Sequence, residues 1–231
     1  MNPGAQHPDG HAAPPLRSDA ERNRERIIAA ARTVFARDGL SASMASVARE
    51  AGVGIATMFR RFPTKEELVD AVFSDRMGAY ADAVAAALDD PDPWHGFVGY
   101  IESACAMQAA DNGFADVLTM TFPTAKVLEQ RRNEAYEAML RLIDRAKATG
   151  RLRADFDPSD LVLIHMANAG VVGAIGDAAP DAWRRVVALL VQSLETPARG
   201  PLPASPGHEP LYQAMLRAGQ GTSTPPPGKS S

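Results

Sequence analysis

Cationic and hydroxyl-bearing side chains are concentrated in one short stretch of the sequence, between residues 43 and 65. They include the cations Arg60, Arg61 and Lys65 and the hydroxyls of Ser43 and Thr57. Arginine binds phosphate bidentately and also pairs with the major-groove edge of guanine, and hydroxyls hydrogen-bond phosphate oxygens. This set therefore predicts contact with a polyanion, although each charge could instead be an ordinary solvated one.

The elements that must position these side chains are two short helices separated by a glycine. Ser43 is a good N-cap for a helix over MASVAREA, and Gly52 closes that helix. A second short helix runs from Ile55 to Arg61 and must end near Phe62, because Pro63 follows. Two short helices with a glycine turn predict a helix-turn-helix over residues 43–62. Its core would be Val47, Ala48, Val53, Met58 and Phe62, and its outward residues Ile55, Ala56, Thr57, Phe59, Arg60 and Arg61.

The rest of the chain is also helical by its apolar periodicity, and no convincing strand is present. We expect an all-α protein of about nine helices: a three-helix DNA-binding domain followed by a helical bundle. The expected divisions are a disordered arm (1–18), a helix-turn-helix domain (19–70), a ligand-binding and dimerisation domain (71–196), and a proline-rich, largely disordered tail (197–231). Within the tail, a short helix is predicted near 209–217.

The charge is divided unevenly along the chain. Residues 1–65 contain ten Lys and Arg against six Asp and Glu, whereas the whole chain has 24 basic and 28 acidic residues. A basic N-terminal part on an acidic body suits a protein that presents one end to phosphate, although chance would produce the same asymmetry.

The stretches RERIIAAARTVFARDGL and SMASVAREAGVGIATMFRRFPTKEELVDAVF resemble the N-terminal domain of TetR/AcrR-type transcriptional regulators, without gaps from Arg24 to Phe73. RAKATGRLRADFDPSDL resembles a ligand-domain subgroup found in actinobacterial members. The resemblance implies that Thr57 contacts bases or phosphate and that Ser43 and Lys65 hold phosphates. Arg61 occupies a position where members often place a DNA-contacting His or Tyr.

The chain departs from the family pattern at two positions. Phe59 stands where Tyr is usual, and Met44 where Thr is frequent, so two hydroxyls that would reach phosphate are missing. We expect Phe59 to contact the DNA backbone or a thymine methyl instead, and Arg60 and Arg61 to compensate.

Two apolar helices, at 158–176 and 180–194, predict a dimer interface. Small residues would allow close approach of a second copy, and larger ones would form a seam. The residues expected at the interface are Gly170, Gly173, Val186, Val187, Leu190 and Leu194. The alternative is that these helices complete the core of the monomer.

Bulky residues at helical spacing in the middle of the bundle predict a pocket for a small apolar or amphipathic effector. The candidates are Trp94, Tyr100, Met107, Phe114, Phe122, Tyr136, Met139 and His165. The alternative for each of them is simple core packing.

The sequence contains no phosphate-binding loop, no G-x-S-x-G elbow and no dinucleotide fingerprint, and its five histidines and one cysteine lack metal-ligand spacing. We therefore expect no catalysis, no cofactor and no metal. We also expect a cytoplasmic location and no membrane span. The predicted function is that of a ligand-responsive repressor, homodimeric on a palindromic double-stranded DNA operator. The alternatives are a helical small-molecule-binding protein that has lost operator binding, and an enzyme built on a helical bundle.

Overall fold

The computed structural model describes residues 16–221, with side chains described from 19 to 219. This part of the chain is all-helical, and its only β-type pairing is an isolated bridge between Leu152 and Glu195. The helices are α1 (Leu16–Asp38), α2 (Met44–Glu50), α3 (Ile55–Arg61), α4 (Lys65–Asp89), α5 (Pro93–Ala110), α6 (Asn112–Thr119), α7 (Lys126–Ala148), α8 (Pro158–Ile175), α9 (Ala182–Leu194) and α10 (His208–Gly221). The all-α prediction is confirmed. The predicted arm falls largely on residues 1–15, outside the described part.

The first three helices form a small unit around apolar residues from each of them. Val34, Phe35, Val47 and Met58 are completely buried in it. Gly39 and Gly52, which end α1 and α2, have φ values of +67° and +63°. Because a residue with a Cβ is strained in this left-handed region, these glycines allow the tight reversals between the helices.

Helix α4 leads from this unit into the bundle and packs against α7 and α5. Its N-cap is Thr64, whose hydroxyl accepts the backbone N–H of Glu67 at 3.2 Å. Its buried residues recur at the spacing of one helix face, ending with Tyr80, Val84 and Ala87.

Helix α8 begins with the predicted Asp157–Pro158 cap, where Asp157 and Asp160 form a capping box. A buried polar network then fastens α8 to α5. The Asn168 amide donates to the side-chain oxygen of Gln108 at 2.9 Å and to the carbonyl of Cys105 at 3.2 Å, and Gln108 donates to the carbonyl of His165. Asn168 therefore links α8 to α5 through buried hydrogen bonds.

By length and composition, α8 is the one described helix that could cross a membrane, with a mean hydropathy of 1.3. No membrane span was predicted from the sequence. One face of α8 packs on α5, α6 and α9, but only 28% of its residues are buried. Much of this apolar helix is thus exposed in the single chain.

The region after α9 differs from the expected, largely disordered tail. Residues 197–207 run back along the bundle, where Leu202 N–H donates to Asp155 at 2.9 Å and the Ser205 hydroxyl pairs with Asp157. The 14-residue helix α10 follows, longer than the predicted short helix. It contacts α8, and Leu211 and Met215 are buried. The last part of the tail, residues 222–231, lies outside the described residues.

Candidate functional site

Helix α3 presents a mixed apolar and cationic face to solvent. Ile55 and Phe59 are each 47% exposed, which is unusual for large apolar side chains. Ala56 and Arg60 are exposed beside them, and Thr57 and Arg61 are partly exposed. Arg60 donates to the Thr57 hydroxyl at 3.3 Å. All six side chains predicted to point outward therefore reach the surface of one helix.

The opposite face of α3 is held rigidly by its neighbours. Met58 is completely buried, and Val53 N–H donates to the carbonyl of Ala48 across the turn at 3.0 Å. Arg26 of α1, which the sequence analysis did not single out, donates to the Ala51 carbonyl at 2.7 Å. A carbonyl that ends a helix is a ready acceptor, so Arg26 fixes the end of α2 and with it the start of α3.

Ser43 is exposed at the N-terminus of α2, on the predicted cap position. Its hydroxyl accepts Ser46 N–H at 3.1 Å and lies 2.9 Å from the Ser46 hydroxyl. Ser43 thus stabilises α2 and still presents its oxygen at a helix N-terminus, where anions are favoured.

Lys65 lies where the sequence analysis did not expect it. Its side chain is only 8% exposed, and its ammonium donates to the carbonyl of Leu40 inside the protein. Burial lowers the pKa of Lys65, opposed by the nearby carboxylates of Glu66 and Asp116. The ammonium predicted to hold phosphate therefore faces the protein interior.

The region around Leu40 and Lys65 also joins the N-terminal unit to α6 of the bundle. Asp116 accepts the backbone N–H of Leu40 at 2.6 Å, and burial raises the pKa of its carboxyl. Three residues earlier, Gly113 lies against α1 and α4: a Cβ there would come within 2.7 Å of the Phe73 ring and 3.0 Å of the Phe35 carbonyl oxygen. Helix α6 and the N-terminal unit are therefore in close, specific contact.

A cavity of about 220 Å³ lies between α4, α7, α8 and α10. Three of the eight predicted pocket residues, Tyr136, Met139 and His165, line it. The other five do not line this cavity. Trp94, Tyr100, Phe114 and Phe122 are buried in the core, and Met107 packs against it. Tyr100 nevertheless supports the site, because its hydroxyl pairs with that of the lining residue Tyr80.

Most of the cavity lining was not predicted from the sequence, because it comes from five helices that are separated along the chain and from the segment between α6 and α7. The lining residues that were missed are Met77, Tyr80, Leu118, Thr121, Glu129, Arg132, Asn133, Pro158, Ser159, Leu161, Val162, His208, Leu211, Tyr212 and Met215. His208, which looked isolated in the sequence, stacks on Tyr212 with ring centroids 5.9 Å apart.

His165 is the most unusual polar group in the lining. It is 4% exposed, and neither ring nitrogen has a hydrogen-bond partner among the residues that the structure describes. Burial lowers its pKa to about 4, so the imidazole is neutral at pH 7. A neutral imidazole has one N–H donor and one acceptor nitrogen, and a buried polar group without a partner is costly.

The guanidinium and the carboxylate in the lining form an ion pair with each other. Arg132 Nε lies 3.1 Å from the Glu129 carboxylate, and Arg132 also donates to the Val117 carbonyl at 2.6 Å. Glu129 accepts Phe122 N–H at 2.9 Å. The charged groups of the cavity wall, Arg132 and Glu129, are thus paired with each other.

The outer faces of α8 and α9 are apolar and exposed. Leu163 of α8 is 41% exposed and Leu189 of α9 is 58% exposed. A Cβ added at Gly170 or Gly173 would meet no atom within 4 Å, so the chain itself does not require glycine there. Val187 and Leu194, by contrast, are buried in the protomer core, and Val186 and Leu190 are partly buried. The seam predicted on α9 therefore belongs largely to the protomer core.

Among residues 16–221, no group of three His, Cys, Asp or Glu side chains could hold a metal ion. Cys105 is buried, and burial raises its thiol pKa to about 12, so it is not a reactive thiolate.

Two family models match this chain. Residues 27–72 match the model described as "Bacterial regulatory proteins, tetR family", and residues 92–196 match "Transcriptional regulator SbtR-like, C-terminal domain". The chain belongs to the TetR family. Residues 27–72 therefore match the N-terminal DNA-binding domain of TetR-family transcriptional regulators, and helix α10 lies beyond both matched ranges.

Solved structures of regulators share this fold at low identity. The fatty acid degradation regulator FadR from Bacillus halodurans is 21% identical with a TM-score of 0.54, and the match covers 77% of this chain and 96% of that chain. A putative TetR-family regulator from Shewanella sp. PV-4 is 23% identical with a TM-score of 0.52, covering 75% and 97%. The ketosteroid regulator KstR2 of Mycobacterium tuberculosis is 17% identical with a TM-score of 0.53, covering 75% and 95%.

Proposed function

We propose that this TetR-family regulator is a homodimeric repressor that binds a palindromic operator through α3 and responds to a small molecule in the bundle cavity. The observation that carries the proposal is the face of α3, where exposed Ile55, Phe59 and Arg60 project from a helix whose other side is fixed by Met58. A rigid, protruding helix of this kind fits the major groove.

Each proposed contact has its own chemistry. Arg60 and Arg61 bind phosphate or guanine, Phe59 contacts a thymine methyl or the sugar-phosphate backbone, and Thr57 hydrogen-bonds a phosphate or a base edge. Ser43 adds a hydroxyl at the N-terminus of α2. With Ile55 and Ala56 they form the proposed interface with double-stranded DNA. The buried ammonium of Lys65 is left out, although the N-terminus of α4 still favours phosphate.

The exposed face of α8 and α9 supports dimerisation. Leu163, Gly170 and Leu189 lie on apolar helix surface that a second copy would cover, with the glycines allowing close approach. Two-fold symmetry would place two α3 helices one DNA turn apart, about 34–36 Å. On this proposal residues 19–70 are the DNA-binding domain and residues 71–196, extended by α10, are the ligand-binding and dimerisation domain.

Helix α6 supports a coupling between the cavity and α3. Leu118 of α6 lines the cavity, whereas Asp116, two residues earlier, holds the backbone of Leu40 at the end of α1. A ligand that binds one arrangement of α6 more tightly than another would shift the population of both domains.

The operator proposal is tested by selecting binding sites from random duplex DNA and measuring affinity by fluorescence anisotropy at several salt concentrations. We expect a palindromic site and strong salt dependence. Arg60→Ala should weaken binding about tenfold or more, and loss of a phosphate contact would lower the salt slope by about 0.9 per contact. Arg199→Ala, which removes an exposed arginine outside the DNA-binding domain, is the matched control.

Failure to enrich any sequence would contradict the proposal and favour a helical binding protein without an operator. Equal affinities of the Arg60→Ala and Arg199→Ala proteins would remove the exposed face of α3 from the interface.

A further inference from the structure

The chemistry of the cavity identifies the class of molecule it takes, and this inference rests on the proposed ligand-responsive function. The cavity volume of about 220 Å³ is below the usual range of about 300–1,000 Å³ for small-molecule sites. A dry cavity of about 150 Å³ is known to hold benzene. The volume therefore suits a compact molecule with one substituted ring.

The lining favours a ring over a flexible chain. Tyr80, Tyr136 and Tyr212 come from α4, α7 and α10, so aromatic side chains approach the cavity from three sides. Tyr136 and His208 have ring centroids 5.9 Å apart, and Tyr80 meets His165 edge to face at 6.3 Å. A ligand ring could add edge-to-face or offset contacts to such walls.

The polar group of the ligand must hydrogen-bond to the imidazole of His165. The imidazole is neutral and buried against the cavity, with one donor and one acceptor nitrogen and no partner for either. A hydroxyl is both a donor and an acceptor and can therefore pair with either nitrogen. A carboxylate only accepts, and its charge would be costly in an apolar cavity.

The charges in the lining also disfavour an anionic ligand. Arg132 is the arginine of the lining, and it is already paired with Glu129 and with the carbonyl of Val117. A carboxylate ligand would have to compete with Glu129 for the guanidinium. The site is therefore suited to an uncharged molecule.

Helix α10 supplies the fourth wall, although it lies outside both family-matched ranges. His208, Leu211, Tyr212 and Met215 all line the cavity. The helix is fixed at its far end, where Thr121 N–H donates to the Met215 carbonyl at 3.2 Å and Gly219 lies against Thr121, so closely that a Cβ would be 2.5 Å from the Thr121 carbonyl oxygen. The C-terminal segment thus helps to set the size of the site.

We propose that the cavity binds compact, uncharged, ring-containing hydroxyl compounds, whose hydroxyl hydrogen-bonds His165 and whose ring packs against α10. The size of the residues on the inner face of α10 then decides which ring substituents are accepted.

The test uses three probes of one shape, 4-ethylphenol, ethylbenzene and 4-ethylbenzoate, measured by isothermal titration calorimetry with the full-length protein and no DNA. We expect 4-ethylphenol to bind at least about tenfold more tightly than the other two. His165→Phe keeps a ring but removes both nitrogens, and should reduce the preference for 4-ethylphenol over ethylbenzene to below about twofold. In the wild-type protein, the ¹⁵N resonances of the His165 ring should shift on addition of 4-ethylphenol, a readout that does not depend on the variant folding.

The role of α10 is tested with Leu211→Ala, which enlarges the cavity from that side. We expect the variant to favour 4-butylphenol over 4-ethylphenol by about fivefold more than the wild-type protein does, whereas Leu202→Ala, on the exposed segment before α10, should not change the ratio. Tighter binding of 4-ethylbenzoate, no binding of any probe at millimolar concentration, or an unchanged ratio in Leu211→Ala would overturn the proposal. Because these measurements contain no DNA, they fail or succeed independently of operator binding.

Discussion

The carboxylate of Asp116 on α6 accepts the backbone N–H of Leu40, at the end of the reversal after α1, at 2.6 Å. The carbonyl of the same Leu40 accepts the ammonium of Lys65 at the start of α4. One residue therefore has both of its backbone polar groups bonded by side chains from two other helices. This places a helix of the bundle in direct contact with the DNA-binding domain, and it explains why Lys65 is not available at the surface.

We expect Asp116→Ala to destabilise the protein by about 1–3 kcal/mol. The substitution leaves a part-buried N–H without its acceptor and removes one of the two carboxylates, those of Glu66 and Asp116, that interact with the buried Lys65 ammonium. Asp116→Asn keeps an acceptor oxygen and should cost less. Urea unfolding measures the free energy of unfolding of both Asp116 variants, with Asp82→Ala on the exposed face of α4 as the control. A loss no larger than that of the control would show that the bond contributes nothing.

A charged side chain placed on the exposed face of α9 is expected to weaken dimerisation. Leu189→Glu should raise the dimer dissociation constant at least about a hundredfold, because two-fold symmetry buries two carboxylates in an apolar interface. Leu202→Glu is the control, since Leu202 is also exposed, at 45%, but lies outside α8 and α9. Sedimentation velocity over a concentration series distinguishes the two. A dimer that tolerates Leu189→Glu must use another surface.

Replacing Phe59 with tyrosine is expected to strengthen operator binding. Its side chain is 47% exposed on α3, and the family usually has a tyrosine there. Phe59→Tyr should strengthen operator binding by about 1 kcal/mol, roughly fivefold, by adding a hydrogen bond to phosphate. Phe59→Leu keeps an apolar side chain without a hydroxyl and should show no gain. If the tyrosine variant binds no more tightly in an anisotropy titration, then residue 59 does not face a phosphate.

His165 predicts a loss of stability in mild acid. Its pKa is lowered by burial to about 4, from an ordinary value of 6.5, so between these two pH values the unfolded chain binds a proton that the folded protein does not. Stability is therefore fully present above pH 6.5 and falls as the pH drops toward 4, by about 2–3 kcal/mol at pH 4.5. His165→Phe should lack this part of the pH dependence. Denaturant unfolding at pH 7 and pH 4.5 makes the comparison, and parallel losses in both proteins would show that His165 is not the group responsible.

The helix boundaries and the helix-turn-helix were predictable because their signals are local. Helix α3 begins and ends at the predicted residues 55 and 61, and α8 starts at the predicted residue 158, because caps, glycine turns and prolines act within a few residues. The core positions Met58 and Phe62 followed from the same short-range periodicity.

The residues of the cavity depended on packing between distant parts of the chain. Trp94 and Phe114 have the same apolar character as Met139, yet only Met139 lines the cavity, because which face of each helix meets its neighbours is fixed by contacts far apart in the sequence. The lack of hydrogen-bond partners for the His165 nitrogens likewise could not be predicted from the sequence, because it depends on which helices surround the ring.

The sequence by itself determined that this chain is an all-helical protein whose N-terminal part resembles the TetR family, because helical periodicity, capping and the residues of a helix-turn-helix are properties of short segments. Only the tertiary structure decided that the Lys65 ammonium turns inward to Leu40, that Val187 packs in the protomer while Leu189 faces outward, and that α10 folds back over the bundle. Each of these depends on which surfaces meet at the lowest free energy, and that choice is made by the whole molecule.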